Sequence, residues 1–445
     1  MSLLTASDKA LWRLALPMIF SNITVPLLGL VDTAVIGHLD SPVYLGGVAI
    51  GATATSFLFM LLLFLRMSTT GLTAQAYGAK DPLRLARALV QPLMLALGAG
   101  ALIVLLRDPL IDLALHIVGG SEAVLEQARR FLEIRWLSAP ASLANLVLLG
   151  WLLGVQYARA PVILLVVGNL LNIVLDLWLV MGLHMNVRGA ALATAIAEYG
   201  TFVMGLWMVW RVLAMRGISL ALLKTAWRGN IRKLLALNRD IMLRSLLLQL
   251  CFGALTVFGA RLGPEIVAVN AVLMTLLTFT AYALDGFAYA VEAHSGQAYG
   301  ARESGQLHDV WRAACRQSGL GALGFAVVYA CFGEQIVALL TSLPALRELA
   351  SHYLIWQVIL PVVGVWCYLL DGMFIGATRG AEMRNSMAVA AAGFGLTLLT
   401  LPWLGNHGLW LALAVFLSLR GLSLVFIWRR HWQNNTWFPS HHDIS

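Results

Sequence analysis

Apolar residues in this chain run together in long blocks separated by short polar breaks. They do not recur at the 2- or 3.6-residue spacing of half-buried strands and helices. A block of about 20 residues crosses roughly 30 Å of hydrocarbon as a helix. Twelve such blocks can be drawn, at 11–37, 45–76, 88–106, 131–155, 161–183, 189–213, 234–261, 266–294, 313–340, 350–377, 385–404 and 407–428. Several exceed the membrane thickness and imply tilt or extension beyond it. The N-terminus lacks the cationic start, short apolar core and A-x-A-like cleavage site of a signal peptide. Its apolar run continues to about Gly37, so a retained first span is predicted.

Composition agrees. The chain is 60% hydrophobic and 12% charged, with mean hydropathy +0.81, whereas soluble domains carry about 25% charged residues. Too little polar surface exists to cover a water-soluble fold, so lipid is the solvent. The net charge of +8 does not indicate nucleic-acid binding, because the basic residues lie in short clusters between apolar runs. Six of the 30 Lys and Arg (Arg107, Arg129, Arg130, Arg188, Arg261 and Arg347) fall in loops on one side. Four (Arg66, Arg135, Arg244 and Arg420) fall within spans, and the other twenty lie on the opposite side with both termini. The positive-inside rule makes that side cytoplasmic. Trp12, Trp207, Trp210, Trp428 and Trp432 sit near the same ends, as an aromatic belt would. Cys251, Cys315, Cys331 and Cys367 show no C-x-x-C spacing and read as packing residues, not a metal site or disulfide framework. No cofactor or metal is expected. The lack of a G-x-x-x-x-G-K-[ST] loop leaves an ion gradient as the source of energy for any uphill work.

The octapeptide AQAYGAKD at 74–81 returns as GQAYGARE at 296–303, 222 residues later. The same offset aligns Val35 with Val257, Gly37 with Gly259, Pro42 with Pro264, Ala49 with Ala271, Gly150 with Gly372 and Gly154 with Gly376. It shortens by three where GAALATA at 189–195 meets GLWLALA at 408–414. This is an internal duplication. Each half holds an even number of spans, so the copies enter the membrane in the same sense. The prediction is an all-α integral membrane protein of 12 transmembrane helices in two parallel-repeat six-helix bundles. The bundles are 1–215 and 234–430, with a basic cytoplasmic linker at 216–233 and a polar tail at 431–445. The octapeptide reads as a helix stop with an anchoring charge, where span 2 of each half leaves the membrane.

An ionisable residue inside a span costs about 2.5–3.5 kcal/mol on insertion scales, so each needs a reason. Asp32 follows Pro26 by six residues. It is either an acid beside a proline-permitted kink or a wet residue in the last turn of its span. Asn169, Asn172 and Asp176 recur at i, i+3 and i+7 on one face of span 5, and Thr194 precedes Glu198 by four on span 6. Such oxygens can hold a proton or Na+, or can make plain interhelical hydrogen bonds. At the 222 offset Asp32, Asn172 and Asp176 fall on Ala254, Phe394 and Leu398, so the cluster belongs to one half only. In the second half, Asp285 and Glu292 on span 8 and Asp371 on span 10 either form a further cation site or balance buried Arg66, Arg244 or Arg420. Met18, Phe57, Met60, Phe64 and Met67 could line an adaptable substrate wall or simply pack.

The Q-A-Y-G-A exit of span 2, its echo after span 8, VDTAVIGHLD ending span 1 and GVQYARAP after span 4 together resemble the multidrug and toxic compound extrusion (MATE) family. The resemblance covers nearly the whole chain, and the first half is most similar to the DinF branch. It implies a cation site on Asp32, Asn172, Asp176 and Thr194, with Asn145 on span 4 a weaker member. It also implies proton rather than Na+ coupling, though the residues permit either. Asp371 resembles the span-10 acid of the NorM branch. The function implied is a cation-coupled multidrug antiporter of the bacterial inner membrane, working as a monomer by alternating access on small amphipathic or cationic substrates. Two alternatives remain. A flippase for lipid-linked headgroups would favour a cationic cavity, for which the first half offers only Arg66. A membrane prenyl transferase would need clustered aspartates for Mg2+, and none follows Asp176.

Overall fold

In a computed structural model, residues 4–37, 42–229 and 231–439 are described, with the side chains of 25–34 and of 37 outside the described set. The helices are α1 (Ala6–Gly37), α2 (Pro42–Leu61), α3 (Phe64–Gly78), α4 (Pro82–Leu105), α5 (Arg107–Val118), α6 (Glu122–Arg135), α7 (Ala139–Gly154), α8 (Arg159–Asp176) and α9 (Asn186–Met215). They continue as α10 (Leu220–Thr225), α11 (Arg232–Arg261), α12 (Pro264–Ala301), α13 (Ser304–Leu340), α14 (Pro344–Ser351), α15 (Leu354–Gly376), α16 (Gly380–Thr397), α17 (Leu401–Leu404) and α18 (Asn406–Gln433). No strand occurs among the described residues. Among the described residues eleven segments are long and apolar enough to cross a membrane, and the 32-residue helix α1, which carries the first apolar block, gives twelve.

Most helices outrun their apolar blocks, because backbone hydrogen bonding continues into the headgroup region where hydropathy falls. The second and fourth spans are both interrupted. The second breaks between α2 and α3, where Leu62 and Leu63 donate to Phe59 O at 3.2 Å and Met60 O at 3.4 Å. These i→i−3 bonds tighten the helix locally. The fourth is α6 joined to α7 through a 3-10 turn at Trp136–Ser138.

The duplication is visible atom by atom. A Cβ built on Gly150 would lie 2.7 Å from Arg66 O, and one on Gly372 2.7 Å from Ala288 O. On Gly154 it would lie 3.1 Å from Thr70 O, and on Gly376 3.0 Å from Glu292 O. Each pair is related by the 222 offset, so α7 crosses α3 as α15 crosses α12. Gly150→Ala and Gly372→Ala should each cost about 1–3 kcal/mol through overpacking. Gly98→Ala, with nothing within 4 Å, should be neutral or slightly stabilising. Thermal unfolding in detergent separates the cases, and an equal loss in all three would contradict the crossing.

The octapeptides end their helices alike. Lys80 (φ 54) and Arg302 (φ 56) are left-handed stops. Asp81 then caps α4, accepting from Leu83 N at 3.2 Å and Arg84 N at 3.3 Å. The copies diverge between 176 and 189. A π-helical turn at Leu177–Gly182 stands in the first half, where the second has a 3-10 turn at Leu398–Thr400. The wider turn takes up residues in the stretch where the offset shortens by three.

Contacts divide the chain into two units, residues 23–235 and residues 1–22 with 236–445. The duplication boundary alone assigns residues 1–22 to the first bundle; their packing instead ties them to α12 and α13. A Cβ on Gly286 would meet Ile19 N at 2.8 Å, and Trp12 Nε1 donates to Gln317 at 3.0 Å. Asp8 and Thr5 cap α1 reciprocally, with Thr5 N on Asp8 Oδ2 at 3.1 Å and Asp8 N on Thr5 Oγ1 at 3.2 Å, a capping box. Arg316 Nη2 donates to Asp8 Oδ1 at 3.1 Å. Burial alone would raise the Asp8 carboxyl, but the Thr5 and Arg316 hydrogen bonds outweigh it and hold it below its ordinary value. The stability from a depressed acid is present above its ordinary pKa, about 4, and is lost only as pH falls through the folded value. Asp8→Asn should therefore cost thermal stability equally at pH 7 and about pH 5.5. The Arg316 part should stay below about 1 kcal/mol, since Arg316 is half exposed. A loss confined to pH 7 would contradict this.

The C-terminal tail is not simply a solvated polar end. α18 runs to Gln433, and beyond it Trp437 is 1% exposed. Its ring meets Phe374 at 5.2 Å and Tyr299, of the second octapeptide, at 6.3 Å. Arg379 Nη2 donates to Thr436 O at 2.8 Å and Trp437 O at 2.6 Å. The chain leaving α9 behaves similarly, with Arg216 over the Tyr77 ring of the first octapeptide at 4.4 Å and Ile218 buried.

Candidate functional site

In the unit 23–235, α8 and α9 bring the oxygens together. Asn172 and Asp176, one turn apart on α8, are 2% and 1% exposed. Thr194 Oγ1 on α9 donates to Asn172 Oδ1 at 3.4 Å and to Ala190 O at 3.1 Å. Asp176 is the last residue of α8, directly before the π-helical turn, a backbone irregularity that often marks a functional site. Asn169 is half-buried and makes no hydrogen bond among the described residues. The side chains of Asp32 and Pro26 lie outside the described set, although α1 is helical through both positions.

One turn beyond Thr194, Glu198 joins a second group. Asn145 Nδ2 on α7 donates to Glu198 Oε2 at 3.0 Å and to Glu198 O at 3.1 Å. Arg135 Nη2 at the end of α6 lies 3.8 Å from Glu198 Oε1, while its Nη1 donates to Ser138 at 2.5 Å. The sequence alone places Arg135 inside a span without naming its partner. The signal was there, since a cation inside a span needs an acid and Glu198 is the acid on span 6. Carboxylate, carboxamide and hydroxyl oxygens gathered this way can accept a proton or coordinate a small hard cation.

The acids of the other unit stand differently. Asp371 on α15 accepts from Arg244 Nη2 on α11 at 2.6 Å and from Arg420 Nη2 on α18, both on Oδ2. All three residues are buried. Asp371 thus faces two buried arginines on two other helices, and the pairing joins three helices. Glu292 is buried and Asp285 half-buried on α12. Arg66, in the first unit, donates to Thr70 Oγ1 at 3.3 Å within its own helix.

The five apolar residues do not share one environment. Phe57 and Met60 are exposed on α2, Phe64 is half-buried and Met67 buried on α3. Met18 is buried in the unit formed with 236–445.

The MatE family profile matches residues 17–178 and again 241–418, one match in each copy of the duplication. The chain is 85% identical over 440 residues to DNA damage-inducible protein F of Escherichia coli (strain K12), covering 99% of this chain and 96% of that protein. It is 28% identical over 450 residues to a probable multidrug resistance protein NorM of Deinococcus radiodurans, covering 96% of each. Among solved structures it resembles MATE in the bent conformation, with TM-score 0.85, 22% identity, and 97% and 96% of the two chains covered. An outward-facing multidrug resistance MATE family transporter of the MOP superfamily gives TM-score 0.83 at 22% identity over 97% and 96%.

Proposed function

The chain belongs to the MatE family, and from that premise we propose that it exports amphipathic or cationic compounds in exchange for protons by alternating access. It is a multi-pass membrane transporter rather than an enzyme, which removes the prenyl-transferase alternative. The coupling acids are Asp176 and Asp32, with Asn172 and Thr194 as the neutral members of the same site. Na+ is the alternative coupling ion. The inner membrane, with both termini cytoplasmic, is the location that the charge asymmetry favours.

The observation that carries this reading is an asymmetry. The scaffold is duplicated to the level of single glycine contacts, yet among the described residues only the unit 23–235 keeps this group, with Asn172 and Asp176 buried and Thr194 half-buried beside them. The corresponding positions of the copy are Phe394 and Leu398. An ionised acid there favours a cationic substrate, and protonation removes that attraction. Substrate and proton then compete for one negative charge, which is sufficient for exchange. Phe57 and Met60 supply exposed apolar surface in the same unit for the rest of an amphipathic molecule.

The test is efflux of a lipophilic cation from proteoliposomes under an imposed pH gradient or an imposed Na+ gradient. Uphill movement with the pH gradient alone is expected. Movement with the Na+ gradient alone reassigns the ion. Movement with neither defeats the antiporter reading.

A further inference from the structure

We propose that the segment joining the two repeats, together with Arg87 of α4, is a docking surface for anionic phospholipid headgroups. The inference does not depend on which ion drives transport.

No Asp or Glu occurs between Glu198 and Asp240, a stretch holding Lys224, Arg228, Arg232 and Lys233. One side of the segment is fixed to the unit. Ile218 and Ala226 are buried in the core with Val212 and Leu213, and Arg216 Nη2 donates to Val155 O at 3.4 Å. The other side shows Leu220, Trp227 and Ile231 at 65%, 53% and 43% exposed. Large apolar side chains standing outward beside cations are the pattern of a chain lying in the membrane interface. Basic residues placed there are drawn to an anionic leaflet. Neither phosphate alone nor nucleic acid accounts for the outward Leu, Trp and Ile.

Two side-chain donors, Arg87 and Gln91 of α4, lie against this segment. Arg87 forms no hydrogen bond or ion pair among the described residues, and its Nε is shielded without a partner. Gly229 stands against it at φ +137, a backbone conformation that favours glycine. A Cβ there would be 3.4 Å from Arg87 Cζ and Nε and from Gln91 Nε2. A guanidinium and a side-chain amide therefore converge beside backbone that carries no side chain. A phosphodiester oxygen is an acceptor for the guanidinium of half-buried Arg87 and for the Gln91 amide, and the bond to Arg87 is charge-assisted.

The test uses the full-length purified protein in phosphatidylcholine nanodiscs, with and without phosphatidylglycerol. Thermal unfolding and lipid titration are the readouts. Anionic lipid should stabilise the wild type. In R87Q/K224Q/R228Q its apparent affinity should fall about tenfold or more. The charge-conserving R87K/K224R/R228K should keep most of the response. Trp227→Ser, an exposed change that leaves the fold intact, should weaken it without altering net charge. Inorganic phosphate added to pure phosphatidylcholine discs should not reproduce the stabilisation. The proposal is overturned if the neutralised variant responds like wild type, if free phosphate suffices, or if W227S binds lipid unchanged. Should the triple variant not fold, R87Q alone against wild type decides on the same titration.

Discussion

Asparagine in place of Asp176 is expected to end uphill transport while leaving the protein folded. A pH gradient of one unit is worth about 1.4 kcal/mol per exchanged proton, a tenfold concentration ratio for one-to-one exchange. Asp176→Asn should lose that tenfold accumulation and retain only downhill movement. Its thermal stability should be unchanged or higher, because the substitution removes a buried ionisable group that costs about 2.5–3.5 kcal/mol in a span. The Thr194–Asn172 hydrogen bond does not need the charge. Asp32→Asn should show the same loss of coupling. Wild-type accumulation in both variants would sink the site.

Asp371→Asn is expected to behave in the opposite way. Arg244 and Arg420 share one Asp371 oxygen inside the protein. Neutralising that oxygen leaves two guanidiniums facing each other, at a cost of about 3–5 kcal/mol. The variant should unfold at much lower temperature and accumulate poorly. Replacing all three residues together by Met, Leu and Met removes the charges along with their partner. That change should restore stability or improve on wild type by about 1–4 kcal/mol, with gradient-driven transport still present. A stable Asp371→Asn protein that has lost coupling would instead make Asp371 a cation-binding acid. The two aspartates are thus separated by the sign of the stability change as well as by transport.

Much of the fold could be read from the chain because lipid imposes long apolar runs, and a duplication repeats its glycines wherever helices touch backbone to backbone. Gly150 and Gly372 were aligned by sequence offset and meet equivalent carbonyls. Other features carry no such mark. The break at 62–63 falls within LLLF, where every residue is equally apolar and no Pro or Gly signals it. The π-helical turn after Asp176 appeared only indirectly, as three residues lost from the offset. The burial of Trp437 depends on Phe374 of α15, Tyr299 of α12 and Arg379 in the turn before α16, all distant in sequence. Within the site, spacing along span 5 groups Asn172 with Asp176, the family resemblance adds Thr194 from span 6, and Thr194 is hydrogen-bonded to Asn172. The Glu198–Arg135 pairing is a tertiary contact between α9 and α6 that periodicity along either helix does not contain. Asp371 shows how an acid in a span has two physical explanations that only its neighbours decide.

The most direct test of the coupling site is proton release on substrate binding, followed in weakly buffered detergent solution with a pH indicator. If substrate and proton compete for the charge at Asp176, adding a lipophilic cation to the purified wild type should acidify the medium in proportion to protein. Asp176→Asn should give no release, while the stabilised triple replacement at 244, 371 and 420 should release as wild type does. Undiminished release from Asp176→Asn, or its disappearance only in the triple replacement, would contradict the assignment of coupling to the first half.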